Sequence, residues 1–442
     1  MREAVPPEAA LEVARLGFTD CIGVMLAGAG EDVVDRLRRH VVEQGGHGRA
    51  RMAGGAQRVS VVQAALVNAT AAHALDYDDF AFSNHPSAVL VPAILAVADA
   101  SGASGARMAA GYVAGYEVWA DLFLREKGLY YDRGWHPTAV LGPVGAAAAA
   151  AVVMGLDETS ARHALALAAS DSGGVFGNFG TMAKPWHGGR AAAAGVNAAS
   201  LAACGLAASD TALEGPHGLM RALSPHGEVD LESEPSLGST WRSAGMRLNI
   251  KKYPTVGASQ RGIDAVLAMV RASPVDPAQV RSIDAHISVR HAAVMPYHLP
   301  QDALQAKFSL EFALACTLVH RAVGFSQLVD GVVRAPLIQQ LMEKVVIHTT
   351  EDFEPGWRDA APFDVFHFRL HDGSTVSTPR VRRATGHADT PLTTGELWGK
   401  FAGCTEHAGV PQATARRLFD ALQRVDQLAG AADIDLPSGV PA

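Results

Sequence analysis

The chain has 442 residues, of which 48% are hydrophobic and 19% charged, and its 37 basic and 45 acidic side chains give a formal net charge of −8. This composition excludes a disordered or collagen-like chain, because enough apolar surface is available to form a core. At roughly 100–200 residues per domain, the length predicts two or three domains. Phosphate binding needs a concentrated basic surface, and no Lys/Arg-rich run is present. We therefore expect small molecules or a second copy of the chain as partners, and no nucleic acid.

Two segments bear on the compartment. The first eight residues carry acids and prolines where a signal peptide would need an apolar core. Residues 137–156 contain no charge and are long enough to cross a bilayer, but they are mostly Ala and Gly, whereas a spanning segment is usually dominated by larger apolar residues. The sequence therefore predicts a cytoplasmic protein that does not bind a membrane, with a buried helix at 137–156.

The first half of the chain is predicted to be helical. Large apolar side chains recur at three- and four-residue steps, which places them on one helix face: Met108, Tyr112, Tyr116, Trp119 and Phe123. Asp157 is predicted to cap a helix that runs through Leu167. Residues 190–206 predict another helix rich in small residues, and nothing in this half alternates with period two.

The pattern changes near residue 250. Alternating apolar residues predict a strand from Ile283 onward, and residues 344–348 and 363–370 predict two more, the last turning at Asp372-Gly373 into a fourth. Residues 302–319 and 335–343 predict helices. After Pro391 the helical pattern returns, with a capped start at Thr393 and an amphipathic run at 413–428. We predict a mainly α protein: a large all-helical domain of residues 1–248 and 392–442, with an inserted smaller α+β lid domain at 249–391.

Two His-Pro elements and one lysine are candidates for chemistry. The pentapeptide His-Pro-[Ser/Thr]-Ala-Val occurs twice, beginning at His85 and at His136. In each, the proline keeps the histidine out of the helix and can occupy the first helical turn. The imidazole then lies at a helix N-terminus, which favours an anion. Together with Lys184, the two histidines could bind carboxylates. The alternatives are ordinary residues at helix starts and a solvated loop lysine.

The Asp76-Tyr77-Asp78-Asp79 run allows three interpretations. Its carboxylates could bind Mg²⁺, supply a general acid or base, or cap and orient neighbouring groups. An Asp-x-Asp-Asp run on a helical scaffold is also typical of class II terpene cyclases. The aromatic content of 6% does not favour that class, since carbocation cyclisation needs an aromatic-lined cavity.

At these clusters the chain resembles the MmgE/PrpD family, which includes 2-methylcitrate dehydratases, cis-aconitate decarboxylases and iminodisuccinate epimerases. The order and spacing of several motifs carry the resemblance over most of the chain. The matching elements are Asp76-Tyr77-Asp78-Asp79, the His-Pro pairs at His85 and His136, Gly115-Tyr116-Glu117, Met182 to Ala192, Leu213-Glu214-Gly215, Lys251-Lys252-Tyr253-Pro254, Ile263-Asp264-Ala265 and Ala306 to Leu310.

The resemblance implies a helical domain built from both ends of the chain, an inserted α+β lid, a homodimer, and a site between the two domains with no metal or organic cofactor. It implies four catalytic residues, which are Asp76, His85, His136 and Lys184. It also implies a role for Lys251 of the second domain, and we predict that Lys251, Tyr253 and Gln260 bind the substrate.

Four positions depart from the family pattern. Many relatives have a threonine after the Asp-Asp pair where this chain has Phe80, and a Cys and a His near Val256 and Gln260. A tyrosine often stands where this chain has Phe312. These changes favour a non-standard substrate, because a pocket built on hydrogen bonds discriminates against molecules that leave its groups unpaired.

The reactions of the resembling enzymes share a carbanion beside a carboxylate. We therefore predict a cofactor-independent lyase, similar to 2-methylcitrate dehydratase, that dehydrates or decarboxylates a small di- or tricarboxylic acid. In this hypothesis Lys184, Lys251 and one histidine bind carboxylates, and His136 or His85 moves the proton. The alternatives are an epimerase that works by proton abstraction and a non-catalytic protein that keeps the fold.

Overall fold

The computed structural model describes residues 5–45, 48–355 and 360–437. The chain forms two compact units, one of Met1–Asn249 with Thr393–Ala442 and the other of Ile250–Leu392. Helices predominate in both units, which confirms the mainly α prediction. The function of the second unit as a lid remains a prediction.

The helices and strands follow in chain order. Before residue 250 the helices are α1 (Glu8–Gly28), α2 (Asp32–Glu43), α3 (Val61–Ala74), α4 (Pro86–Ser101), α5 (Gly105–Arg125), α6 (Pro137–Met154), α7 (Glu158–Ala169), α8 (Ala183–Ala203), α9 (Leu219–Ala222) and α10 (Arg242–Gly245), with a strand pair β1 (Ala50–Arg51) and β2 (Arg58–Val59). The second unit contains α11 (Gln260–Ala272), β3 (Val280–Ser288), α12 (Val289–Ala293), α13 (Ala303–Ala306), α14 (Leu310–His320), α15 (Asp330–Val333), α16 (Pro336–Met342), β4 (Val345–Thr350), β5 (Val365–Leu370) and β6 (Thr375–Ser377). The C-terminal segment adds α17 (Thr394–His407) and α18 (Gln412–Leu422) to the first unit.

Small residues let the central helices of the first unit approach closely. A Cβ at Gly189 of α8 would lie 2.1 Å from Thr70 Oγ1 of α3, so a larger residue would force the two helices apart. The same contact runs on to Gly188, where a Cβ would lie 3.5 Å from the His73 side chain. This packing brings the last turn of α3 next to the first turn of α8.

Helix α6 is long and apolar enough to cross a membrane, by length and composition alone. In the structure 89% of it is buried inside the protein, where it packs against α5 and α8. The predicted buried core helix is therefore present.

Several local predictions for the first unit are confirmed. Helix α5 contains the predicted apolar face, and Asp157 caps α7 by accepting a hydrogen bond from Ser160 N at 2.8 Å. The helix predicted at 190–206 instead begins at Ala183 and ends at Ala203. Pro185 fits in the first turn of this helix, where its missing N–H costs nothing.

The second unit is built around one four-stranded sheet in the order β4-β3-β5-β6. Strands β3 and β4 are parallel, whereas β5 runs antiparallel to β3 and β6 to β5. One face contributes Ile283, Ile287, Phe366 and Phe368 to a core that also contains α11 and α14. The predicted strands are confirmed. The helix predicted at 302–319 is broken, because Ser309 accepts a hydrogen bond from Phe312 N and starts a new helix.

Candidate active site

The loop after α3 carries the acidic run. Helix α3 ends at Ala74, and Asp76 then adopts a left-handed conformation with φ of 49°. A non-glycine residue in this region costs of the order of 1–3 kcal/mol, and such residues cluster at functional sites. The turn is closed by a hydrogen bond that Asp76 N donates to His73 O at 3.3 Å. This turn places the Asp76 side chain against Lys184 in the first turn of α8.

Lys184 lies in the first turn of α8 and is 3% exposed. Its ammonium forms an ion pair with the Asp76 carboxylate, and its Nζ lies 3.1 Å from His73 Nε2. The ammonium also lies 5.1 Å from the centre of the Phe179 ring. The alternative of a solvated loop lysine is therefore wrong: the charge is buried and held by a carboxylate.

Asp78 joins two imidazoles. Its Oδ2 lies 2.9 Å from His73 Nδ1 and 2.9 Å from His85 Nδ1. Burial alone would raise the pKa of Asp78, but the two histidines outweigh it and hold this pKa well below its ordinary value. Burial, together with the nearby Lys184 charge, lowers the pKa of His73 to about 4. At neutral pH Asp78 is thus ionised, and it accepts a hydrogen bond from the neutral ring of His73.

His136 is fully buried at the start of α6. Its backbone N–H donates to Gly174 O at 2.8 Å, and its Nδ1 lies 3.2 Å from His187 Nδ1, so one of these two nitrogens carries the shared hydrogen. Within the described parts of the chain, His136 Nε2 has no hydrogen-bond partner. Burial and then the Lys184 charge hold the pKa of His136 well below 6.5, and burial lowers the pKa of His187 to about 4.

The two His-Pro elements are in contact. His85 precedes α4 and His136 precedes α6, each followed by a proline in the first turn, as predicted. His85 N donates to Thr138 Oγ1 of the second element at 3.2 Å. The ring of His73 lies between them, with centroids 4.6 Å from His85 and 5.9 Å from His136. The structure thus brings the predicted residues of the first unit, Asp76, His85, His136 and Lys184, into one cluster around His73.

A second buried cation, Lys400, contacts the acidic loop. Lys400 of α17 forms an ion pair with Asp20 of α1 at 2.6 Å and donates to Tyr77 O at 2.8 Å. Its ammonium lies 4.2 Å from the centre of the Tyr77 ring. Asp79 is completely buried beside this pair, and burial followed by the Asp20 charge raises its pKa well above its ordinary value. The protonated form of Asp79 is therefore favoured relative to that of an exposed aspartate.

The predicted substrate-binding residues Lys251, Tyr253 and Gln260 lie near the start of the second unit, which begins at Ile250. Lys251 is buried, and the Tyr253 hydroxyl donates to Asp264 Oδ1 at 2.7 Å. The Gln260 side chain accepts hydrogen bonds from the backbone N–H groups of residues 252 and 253 and donates to the backbone oxygens of Tyr253 and Thr255. Its amide therefore holds this loop, and contact with a substrate remains a prediction.

Two family models match the chain. The MmgE/PrpD N-terminal domain matches residues 2–232, and the MmgE/PrpD C-terminal domain matches residues 253–425. The chain belongs to the MmgE/PrpD family. It is similar to the cis-aconitate decarboxylase of Mus musculus, with 27% identity over 399 residues that cover 86% of this chain and 80% of the relative. The Homo sapiens cis-aconitate decarboxylase is 28% identical over 78% of this chain and 72% of the relative, and that of Aspergillus terreus is 25% identical over 77% and 74%.

As an MmgE/PrpD enzyme, the chain is a lyase, and its acidic run has a defined arrangement. Asp76 pairs with Lys184, Asp78 joins two imidazoles, and Asp79 lies near the Asp20 pair. The three carboxylates therefore have separate partners and do not converge on a shared ligand, which favours the interpretation that they orient neighbouring groups. Ligand atoms of His73, Asp78 and His85 lie within 4.8 Å of one another, but direct contacts between them already use these atoms.

Sequence reasoning missed several members of this MmgE/PrpD site. His73 stands three residues before the acidic run and His187 lies in the element Met182 to Ala192, but nothing local distinguishes them from ordinary core histidines. Asp20 and Lys400 are 380 residues apart, and no sequence signal connects them. Of the departures from the family pattern, Phe312 is fully buried in the core of the second unit, so its ring packs against apolar neighbours.

Proposed function

We propose that this MmgE/PrpD lyase decarboxylates a small tricarboxylic acid, with cis-aconitate as its substrate, through a carbanion stabilised by a remaining carboxylate. One observation carries the proposal: the buried Lys184 ammonium lies beside neutral imidazoles, and one ring nitrogen of the buried His136 has no hydrogen-bond partner among the described residues. The name of the relatives, which are similar over most of the chain, supplies the substrate.

Lys184 is the group we assign to the substrate's carboxylates. A fixed ammonium in a buried site interacts more strongly with developing negative charge than it would in water, and it needs no reorganisation during the reaction. Its pairing with Asp76 holds it in place and maintains its charge. The start of α6, with His136 as its cap, adds the positive end of a helix dipole to the same region.

His136 is the group we assign to the proton. Loss of CO₂ leaves the electron pair of the broken C–C bond on carbon, and that carbon must then receive one proton. The anionic substrate raises the pKa of the neighbouring imidazole, so that His136 takes up a proton when the substrate binds. Protonated His136 can donate through Nδ1 to His187 and deliver the Nε2 proton to the carbanion. The products are CO₂, the protonated acid and a neutral imidazole.

A dehydration of the 2-methylcitrate type uses the same groups in a different order. The low pKa values of His73 and His136 make both rings bases at neutral pH, and such a base can remove the proton α to a carboxylate. This observation favours dehydration as the second candidate reaction.

The experiment is an NMR time course in D₂O with cis-aconitate, citrate and 2-methylcitrate. We expect loss of CO₂ from cis-aconitate and one deuterium in the product. Lys184→Met and His136→Gln should each lower kcat by about 10²–10⁴-fold. The matched controls are Lys127→Met and His40→Gln, which alter exposed side chains of the same unit.

Four outcomes would change the assignment. A new alkene from a hydroxy acid would indicate a dehydratase, and deuterium exchange without net conversion would indicate an epimerase. Unchanged turnover in both Lys184→Met and His136→Gln would refute the site itself. Binding without turnover of any of the acids would support the non-catalytic alternative.

The remaining assignments are also proposals. We propose that Lys251, Tyr253 and Gln260 contribute to substrate binding, that the enzyme needs no cofactor and acts as a homodimer, and that it is cytoplasmic. Lys251→Met should raise KM more than it lowers kcat if this lysine binds a carboxylate away from the reacting carbon. Light scattering of the purified full-length chain measures the oligomeric state.

A further inference from the structure

Three histidines lie side by side on the polar face of the sheet in the second unit. His286 of β3 is paired in register with His348 of β4. His367 of β5 is opposite Asp284, so it lies diagonally next to His286 on the same face. The centroid of the His286 ring lies 4.7 Å from the centroid of the His348 ring and 5.4 Å from that of the His367 ring. None of these residues belongs to the site around Lys184.

Two of the three rings are held by a second polar group. His348 Nε2 lies 3.0 Å from Asp284 Oδ1, and His367 Nδ1 lies 2.8 Å from Ser377 Oγ. Histidines that bind a metal ion usually show this arrangement: one ring nitrogen faces the metal, and the other donates to a carboxylate or another acceptor. The Asp284 carboxylate is fixed in turn by Arg369, whose Nε donates to Oδ2 at 2.7 Å.

The three rings open into a cavity of about 310 Å³, which Asp352 also lines. Two imidazoles on one tetrahedral zinc ion, with Zn–N distances of about 2.0–2.1 Å, have ring centroids about 5 Å apart. The separations seen here are close to that value. The His286 and His348 rings are stacked, with 16° between their planes, so metal binding requires rotation about side-chain bonds that turns the ring nitrogens toward one point in the cavity.

We propose that His286, His348 and His367 form a binding site for a divalent transition metal ion, zinc in the first instance, with Asp352 as the carboxylate fourth ligand. Neutral imidazole suits zinc, nickel and copper, whereas magnesium and calcium prefer oxygen ligands. The bound ion links β4, β3 and β5, so it stabilises the sheet.

The test uses the full-length, untagged protein after treatment with a chelator. Titration with CoCl₂ should produce the visible absorption of a four-coordinate cobalt ion at one equivalent, and calorimetry with ZnCl₂ should give the same stoichiometry. His286→Ala, His348→Ala and His367→Ala should each abolish the cobalt spectrum. Asp284→Asn should weaken zinc binding by about 10- to 100-fold, because it removes the group that orients His348. His320→Ala, an exposed histidine of the same unit, is the matched control.

Thermal unfolding separates loss of a ligand from loss of the fold. The metal-free variants should unfold at the same temperature as the metal-free parent, and zinc should raise the unfolding temperature of the parent but not of His286→Ala. Two results would overturn the proposal. One is the absence of a one-equivalent cobalt or zinc complex at neutral pH. The other is an unchanged complex in the variant that lacks all three histidines, which would place the ion elsewhere, as at His73, Asp78 and His85.

Discussion

Replacement of Lys400 by methionine tests how the acidic loop is held. The lysine ammonium is buried, pairs with Asp20 at 2.6 Å and donates to the carbonyl oxygen of Tyr77 at 2.8 Å. Methionine keeps most of the length and removes the charge, so Asp20 is left buried without its cation. Breaking a buried pair by removing one partner costs about 3–5 kcal/mol, and we expect Lys400→Met to lower the free energy of unfolding by that amount.

The loss should depend on pH, and its direction can be worked out. Burial already raises the pKa of Asp20 above 3.8, and removal of Lys400 raises it further. At pH values above the ordinary pKa of 3.8, the folded variant then binds more protons than the unfolded chain. The free energy of unfolding of Lys400→Met therefore falls as pH rises. The variant should therefore be less stable, relative to the parent, at pH 8 than at pH 5.

The same substitution should lower turnover although Lys400 is not placed to touch the substrate. The Tyr77 carbonyl lies in the loop between Asp76 and Asp78, and both of those carboxylates hold groups of the site. Urea unfolding at pH 5 and pH 8, with kcat for cis-aconitate, measures both effects. Lys127→Met is the exposed control, and Asp20→Asn/Lys400→Met should recover part of the loss because no buried charge remains. Stability within about 1 kcal/mol of the parent at pH 8 would refute the reasoning.

Four further predictions follow from the site and its packing. Asp78→Asn should lower kcat about 10²-fold with little change in KM, because the carboxylate contacts imidazoles. Since the pKa of His73 is about 4 in the folded chain and 6.5 ordinarily, stability should fall as pH drops from 6.5 towards 4, by about 3 kcal/mol for this ring, as urea unfolding can measure. Calorimetry in buffers of different ionisation enthalpy should detect proton uptake when cis-aconitate binds; no uptake would contradict the role of His136. Gly189→Ala should cost about 1–3 kcal/mol by pushing α8 from α3, whereas Gly177→Ala, with open space around it, should be neutral in the same unfolding assay.

Local sequence chemistry explains which features could be predicted. A proline after a histidine restricts a short stretch of backbone, so the starts of α4 and α6 were readable from His85 and His136 alone. Alternation of apolar residues likewise predicted β3 and β5, because one face of the sheet is buried. The predicted start of α8 at residue 190 was wrong, because the glycines before it serve helix packing. A local sequence pattern does not show which helix a glycine packs against.

Contacts between distant segments could not be predicted in this way. The pairing of Lys400 with Asp20 depends on how α17 packs against α1, and no local sequence pattern predicts that packing. The separate roles of the three carboxylates in the acidic run also depend on contacts with distant segments. Three carboxylates in a row have equivalent local chemistry, and only the positions of Lys184, His73 and His85 distinguish Asp76 from Asp78.

The use of both ends of the chain in the first unit has a consequence for its synthesis. Helix α17, which supplies Lys400, is made after the whole of the second unit. During translation, Lys400 is therefore added 380 residues after Asp20, the residue with which it pairs in the folded chain. A nascent chain that stops before α17 contains every proposed catalytic residue, but its acidic loop lacks its support. Such a fragment should depend on chaperones and be degraded rapidly, and activity should appear only when the last helices emerge from the ribosome.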